Sequence, residues 1–162
     1  MDPLAEVWEQ HSDAVRRFAR HLTDNAAQAD DLTQEAFVRL WTTTSPIRTE
    51  TLRAYLFTIV RNLHRRAYRR DRSLQAISGH ETAGGAAPDE QVAQHEDARR
   101  LTAALASLED GDREAVLMRL DGDVSYGDIG LALGISAGAA RVRVHRARRR
   151  LIEALGERGD RS

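Results

Sequence analysis

Ten consecutive residues that hold six arginines and no acid cannot enter a core, and they restrict how the segment around them folds. The run covers residues 141–150, inside SYGDIGLALGISAGAARVRVHRARRRL, Ser125–Leu151. Read as a helix, it sets Ala140, Val144, Ala147 and Leu151 on one stripe at steps of four, three and four. Arg141, Arg143, His145, Arg146, Arg148, Arg149 and Arg150 take the other faces. Upstream, Ile129, Leu131 and Leu133 supply the apolar side chains of a shorter helix. Ser125 N-caps that helix, with Asp128 three residues on as a capping-box-like partner. Gly134 suits the left-handed residue that ends it, and Ser136 caps the helix that follows. The spacing predicts a helix-turn-helix whose second helix enters the major groove. Charge runs are more often solvated helix faces. Six arginines without an acid, however, repel one another unless an anion sits opposite, which favours a nucleic-acid ligand. Opposite Val144 and Ala147, the residues Arg141, Val142, His145, Arg146 and Arg149 face the groove or flank it. Arginine bonds guanine through two hydrogen bonds, and Val142 suits a thymine methyl. Arg150 is expected on a phosphate.

The remainder reads as helices at residues 3–22, 26–42 and about 50–72. The first repeats Leu4, Val7, Trp8, His11, Val15, Phe18 and Leu22 at helical spacing. The second gathers Leu32, Ala36, Phe37, Leu40 and Trp41. The third has Leu52, Tyr55, Leu56, Ile59, Val60 and Leu63 as its apolar face, then turns almost wholly to arginine. From Ser73 the composition changes to Gly, Ala, Ser and Thr with Pro88, and residues 73–95 read as a flexible acidic linker. Helical pattern returns from about 90, with Leu101, Ala104, Leu105 and Leu108 leading to a turn at Asp110-Gly111-Asp112. A short helix at 112–121 with Ala115, Val116, Leu117 and Leu120 precedes the helix-turn-helix. No segment alternates at period two for long enough to make a strand. The expected fold is all-α: two small helical domains, 1–72 and 96–156, joined by the linker, with a disordered tail at 157–162.

Composition narrows the function. Aromatic residues make up 5% of the 162, so a core must rest on Leu, Val, Ile and Ala, as small helical bundles allow. Cysteine is absent, which removes disulfides, thiolate catalysis and cysteine zinc sites. No apolar run approaches the ~20 residues of a membrane span, and acids interrupt the start, so a soluble cytoplasmic protein is expected. The six histidines are scattered, and His80-Glu81 and His95-Glu96 read as solvated rather than metal-binding. No phosphate loop or nucleophile elbow appears, and no metal or cofactor is expected. All 24 basic residues are arginine, which with the abundant Ala and Gly suggests a GC-rich bacterial genome. The net charge of −1 hides segregation: six arginines and one acid at 61–72, but five acids and no base at 73–97. Local field, not net charge, steers a polyanion.

Two further segments carry a resemblance. ADDLTQEAFVRLW, residues 29–41, followed by RAYLFTIVRNLHRRAYRR, residues 53–70, resembles region 2 of the extracytoplasmic-function sigma factors, the smallest bacterial RNA polymerase sigma factors. LEDGDREAVLMRL, residues 108–120, with the helix-turn-helix resembles their region 4. The family pattern S-x-G-T-V-x-S-R-x-x-R-A-R falls on Ser136, Gly138, Ala139, Ala140, Val142, Arg143, Arg146, Ala147 and Arg148. Departures are Ala139 and Ala140 for Thr and Val, Val142 for Ser, Tyr55 for Trp, and Arg66 for an acid.

The resemblance implies a non-catalytic, dissociable specificity subunit that binds core polymerase through its β′ clamp and β flap. Asp31, Gln34, Glu35, Phe37, Leu40 and Trp41 would dock the clamp. Tyr55, Arg61, Asn62, Arg65, Arg66, Tyr68, Arg69 and Arg70 would hold the −10 element, with a flipped base captured at 42–51. Unstacked bases need aromatic platforms and amides, and arginines track the backbone, so the residue types suit the task. Ser136, Arg141, Val142, Arg143, His145, Arg146, Arg149 and Arg150 would meet the −35 duplex. An anti-sigma factor is a further implied partner. The alternative, a stand-alone helix-turn-helix regulator, lacks the receiver domain expected in front of it.

Overall fold

The computed structural model describes residues 2–23, 25–43, 52–78 and 94–156. It contains seven helices and no strand among the described residues. They are α1 (Pro3–Thr23), α2 (Ala26–Thr42), α3 (Leu52–Ser78), α4 (Gln94–Ala106), α5 (Asp110–Gly122), α6 (Tyr126–Leu133) and α7 (Ala137–Gly156). The chain divides into two units, Met1–Ala87 and Pro88–Ser162.

In the first unit α1, α2 and α3 pack pairwise. Pro3 opens α1, where a missing N–H costs nothing, and Asp2 Oδ1 accepts the Leu4 N–H at 3.1 Å. Asn25 caps α2 by accepting the Gln28 N–H at 3.1 Å. Val15, Phe18, Ala29, Ala36, Phe37, Leu56, Phe57 and Val60 are fully buried, and Phe18 stacks on Phe57 at 4.6 Å. Buried Thr33 satisfies its hydroxyl by donating to the Ala29 carbonyl at 2.7 Å. Arg53 ties the start of α3 to α1, donating Nε to His11 Nδ1 at 3.3 Å and Nη2 to the Gln10 carbonyl at 3.2 Å. Burial, then the Arg53 charge, lowers the His11 pKa, which keeps that ring a neutral acceptor.

In the second unit α7 is central and packs on α4, α5 and α6. Ala115, Val116, Leu117 and Met118 are all buried, and α5 packs on both α6 and α7. Arg119 lies 4.4 Å over the Tyr126 ring and donates to the Val124 carbonyl at 3.1 Å, which fixes the α5–α6 connection. Ser125 caps α6 by accepting the Asp128 N–H at 3.1 Å, Gly134 ends it at φ 71°, and Ser136 accepts the Ala139 N–H at 3.0 Å. Ala140, Val144, Ala147 and Leu151 form the buried stripe of α7.

Several sequence expectations shift. Helix α5 begins at Asp110, so Asp110-Gly111-Asp112 is a first helical turn and not a loop. The acids there suit the positive end of the helix dipole. Helix α3 runs to Ser78, six residues into the expected linker, because SLQAIS holds no breaker before Gly79. Phe57, absent from the expected apolar face, is core, while Tyr55 and Ile59 are half-buried. Leu101, Leu120 and Leu131 are exposed rather than packed. The remaining linker at 79–93, the loop from 44 to 51 and the tail at 157–162 lie outside the described residues.

The turn of the helix-turn-helix depends on close backbone approach at Gly130. A Cβ there would sit 2.6 Å from the Ile135 carbonyl oxygen and 3.1 Å from the Ser136 carbonyl carbon. A Cβ on Gly138 would meet nothing nearer than Ser136 Oγ at 3.9 Å. Gly→Ala in a helix ordinarily gains up to about 1 kcal/mol. Gly138→Ala is therefore expected to raise the melting temperature of the second unit, and Gly130→Ala to lower it by an amount equivalent to roughly 1–3 kcal/mol. Thermal denaturation of the two variants checks this, and equal shifts would remove Gly130 from the turn's constraints.

Candidate nucleic-acid interface

Three surfaces carry the candidate residues. On α2 the exposed face presents Asp31, Gln34, Glu35, Val38 and Trp41, with Leu40 half-buried. Phe37, expected on this ridge, is instead fully buried, edge-on to Trp8 at 4.7 Å and tilted against Trp41 at 6.0 Å. The helix is rolled so that Val38, 48% exposed, takes the surface place given to Phe37. Periodicity alone does not separate these neighbours. Glu35 is paired with Arg39 at 3.2 Å, an i,i+4 bridge on the surface.

Between the end of α2 and α3 lies a cleft of about 310 Å³ lined by Arg39, Thr42, Thr43, Tyr55, Ile59, Asn62, Leu63 and Arg66. Tyr55, Ile59, Asn62 and Arg66 form one helical stripe, which gives a planar ring, an aliphatic wall, an amide and a guanidinium in sequence along α3. Thr42 donates its hydroxyl back to the Val38 carbonyl at 3.0 Å. Thr42 and Thr43 belong to the expected base-capture segment at 42–51, whereas Arg39, Ile59 and Leu63 were not among the expected site residues. Arg66 is exposed at the cleft's edge and Tyr68, Arg69 and Arg70 are exposed beyond it, while Arg61 and Arg65 are half-buried on a different face. His64 and Tyr68 lie ring to ring at 6.3 Å.

On α7, Arg141, Val142, His145, Arg146, Arg149, Arg150 and Glu153 line an open depression of about 500 Å³. Val142 is 59% exposed although apolar. Glu153, which the sequence reading did not single out, sets an acid at the end of the arginine face. Ser136 commits its hydroxyl to the cap of α7. Arg143 departs from the expected groove set. It is half-buried over the first turn of α5, where a Cβ on Gly111 would lie 2.3 Å from its Nη1.

Arg146 is anchored by an acid that the sequence reading did not single out. Its Nε donates to Asp112 Oδ2 at 2.9 Å and its Nη2 to Oδ1 at 2.8 Å. The Asp112 side chain is 2% exposed and that of Arg146 46%. The bond from Arg146 holds the Asp112 carboxyl below its ordinary pKa against the opposing effect of burial. The charges of Arg146, Arg143 and Arg150 add to it.

Comparison with known proteins identifies both units. Residues 7–74 match sigma-70 region 2, and residues 98–151 match sigma-70 region 4. The chain is 34% identical to the RNA polymerase sigma factor CarQ of Myxococcus xanthus, over 96% of its own length and 91% of that protein's. It is 32% identical to the ECF RNA polymerase sigma factor SigL of Mycobacterium tuberculosis, over 96% and 90%. Among solved structures it resembles the sigma factor RpoE of Bartonella quintana in complex with the anti-sigma factor NepR. The TM-score is 0.77 at 30% identity, over 94% of this chain and 96% of that one. It also resembles CnrH in complex with the cytosolic domain of CnrY, at TM-score 0.69 and 25% identity over 95% and 88%. The fold is that of a two-unit helical sigma factor. The chain belongs to the extracytoplasmic-function family of RNA polymerase sigma factors, and its function is promoter-specific transcription initiation.

The Asp112–Arg146 pair makes the second unit acid-sensitive. A carboxyl whose folded pKa lies below its unfolded one stabilises the fold above the unfolded value, about 3.9, and that stabilisation is lost as pH falls through the folded value. Asp112→Asn is expected to be less stable than the parent chain by a constant amount above about pH 5. The gap should close as pH falls below about 4. Urea unfolding of both chains across this range reads it, and a gap still undiminished at the acid end would mean that the carboxylate charge contributes nothing.

Proposed function

We propose that each surface has one task in initiation. The exposed face of α2, with Asp31, Gln34, Glu35, Leu40 and Trp41 and the added Val38, docks core polymerase at its β′ clamp. An apolar spot rimmed by acids suits a basic, partly apolar partner. The cleft between α2 and α3 takes an unstacked base of the −10 strand against Tyr55 and Asn62, and Arg66, Arg69 and Arg70 follow its phosphates. The depression on α7 reads the −35 duplex, with Arg141 and Arg150 on phosphates and Val142, His145, Arg146 and Arg149 toward base edges.

The observation that carries the reading is the separation of chemistries between the two units. An aromatic and amide cleft for single strands lies on one, and a helix-turn-helix for duplex on the other. The chain acts as a dissociable specificity subunit in the cytoplasm, beside the β flap as well as the clamp, and leaves the chemistry to the polymerase. The solved relatives RpoE and CnrH are bound by NepR and by CnrY. An anti-sigma factor covering the α2 ridge is the regulator expected here.

Run-off transcription with purified core polymerase and a promoter library tests the whole assignment. The chain is expected to yield discrete start sites that core alone does not give, and their absence would overturn it. The docking surface has its own test. Asp31→Arg and Trp41→Ala are expected to weaken core binding about tenfold or more, and Asp31→Arg should leave helix content unchanged. Phe37→Ala should instead destabilise the first unit by roughly 3–5 kcal/mol, because it empties a core position. Unaltered core affinity in Asp31→Arg and Trp41→Ala would move the docking site off α2.

A further inference from the structure

We propose that Asp112 is a specificity-determining positioning residue: from α5, outside the helix-turn-helix, it holds the Arg146 guanidinium so that its free edge meets one base of the recognised duplex. The inference rests on the reading of α7 as the −35 reading helix.

The geometry supports it in three ways. First, Arg146 engages Asp112 through Nε and Nη2 only, at 2.9 and 2.8 Å. The edge formed by Nη1 and the second Nη2 proton is left over, and that edge presents the two parallel donors which guanine O6 and N7 accept. Second, the side chain is not folded away. It remains 46% exposed and lines the outward depression beside Val142, His145 and Arg149. Third, the anchor is rigid. Asp112 is 2% exposed and sits in the first turn of a helix whose next residues are core, so it moves only with α5. An unanchored arginine must give up its rotamer freedom when it binds. One already held in a planar fork loses much less, and so discriminates better for the same contact. Arg143, tucked over Gly111, shares the Asp112 field but does not form the fork.

The test is a selection from duplexes randomised over the upstream promoter element, using the full chain assembled with core polymerase. Arg146→Ala is expected to relax base choice at one position by about tenfold. Asp112→Asn should relax the same position by a similar factor and leave the other positions unchanged. The double variant should relax it no further. Arg146→Lys keeps the charge but not the fork, and should keep overall affinity while losing the discrimination. A purely structural Asp112 would weaken all duplexes alike with the base profile intact, and that result overturns the proposal. So would an Arg146→Ala profile identical to that of the parent. If Asp112→Asn does not fold, Asp112→Glu keeps the charge but displaces the fork by one methylene, and is held to the same expected profile. Failure of the underlying reading looks different: the parent holoenzyme itself would select no upstream motif.

Discussion

The second unit depends on how closely α7 is allowed to approach its neighbours. A helix with six arginines in ten residues has one narrow apolar stripe to bury, and that stripe is built from Ala140, Val144, Ala147 and Leu151. Alanine and valine bring little area, so burial must be gained by proximity rather than bulk. Gly130 supplies it by letting the turn backbone come within a distance that any Cβ would forbid. Because the stripe is slim, the remaining faces stay wide, and they are the faces that hold the arginines. The same small residues that limit the core of this unit therefore set how much basic surface it can display.

The first unit solves the opposite problem. Its core is aromatic at the centre, with Phe18 stacked on Phe57 and Phe37 wedged beside Trp8. Bulky rings hold three helices together with few residues, and this frees one face of α2 and one stripe of α3. The freed α3 stripe is short: Tyr55 and Ile59 are half-buried, and Asn62 and Arg66 are exposed. A cleft that is apolar at its base and polar at its rim can accept a base ring and then satisfy its edge. Its position at the end of α2 also places it on the same helix as the ridge proposed to dock the polymerase.

What the sequence revealed divides along a physical line. Caps at Ser125 and Ser136, the left-handed Gly134 and the buried stripe of α7 are local chemistry within one turn of helix, and all were legible. Which of Phe37 and Val38 faces inward depends on the roll of α2 against two other helices. Periodicity fixes that roll only to within about a third of a turn. The same uncertainty hid Phe57 and overstated the packing of Leu131. Asp110-Gly111-Asp112 reads as a turn yet opens α5, because acids and glycine mark both turns and helix starts. The Asp112–Arg146 fork joins residues 34 apart in the chain, and no spacing rule reaches that far. Fold and family were thus readable from patterns, whereas the placement of individual arginines needed tertiary structure.

Charge is segregated along the chain. The chain is nearly neutral, yet on the proposed reading it must bind a polyanion at two places. Each basic surface neutralises few phosphates, and part of its charge is already spoken for: Arg146 by Asp112 and Arg39 by Glu35. Counterion release scales with the number of phosphates met, so on the proposed reading either surface alone is expected to hold DNA weakly at physiological salt. The acids of α1 and α2 oppose any approach of DNA to the first unit through repulsion. Two weak sites become one strong site only when a scaffold fixes their spacing and raises the effective concentration of the second contact. Core polymerase is that scaffold in the proposed function, and the near-zero net charge is then a means of keeping the free subunit off DNA. The specificity of the complex follows from the same economy. On the proposed reading, base choice falls to the few side chains, such as Arg146, whose donors are already held in position.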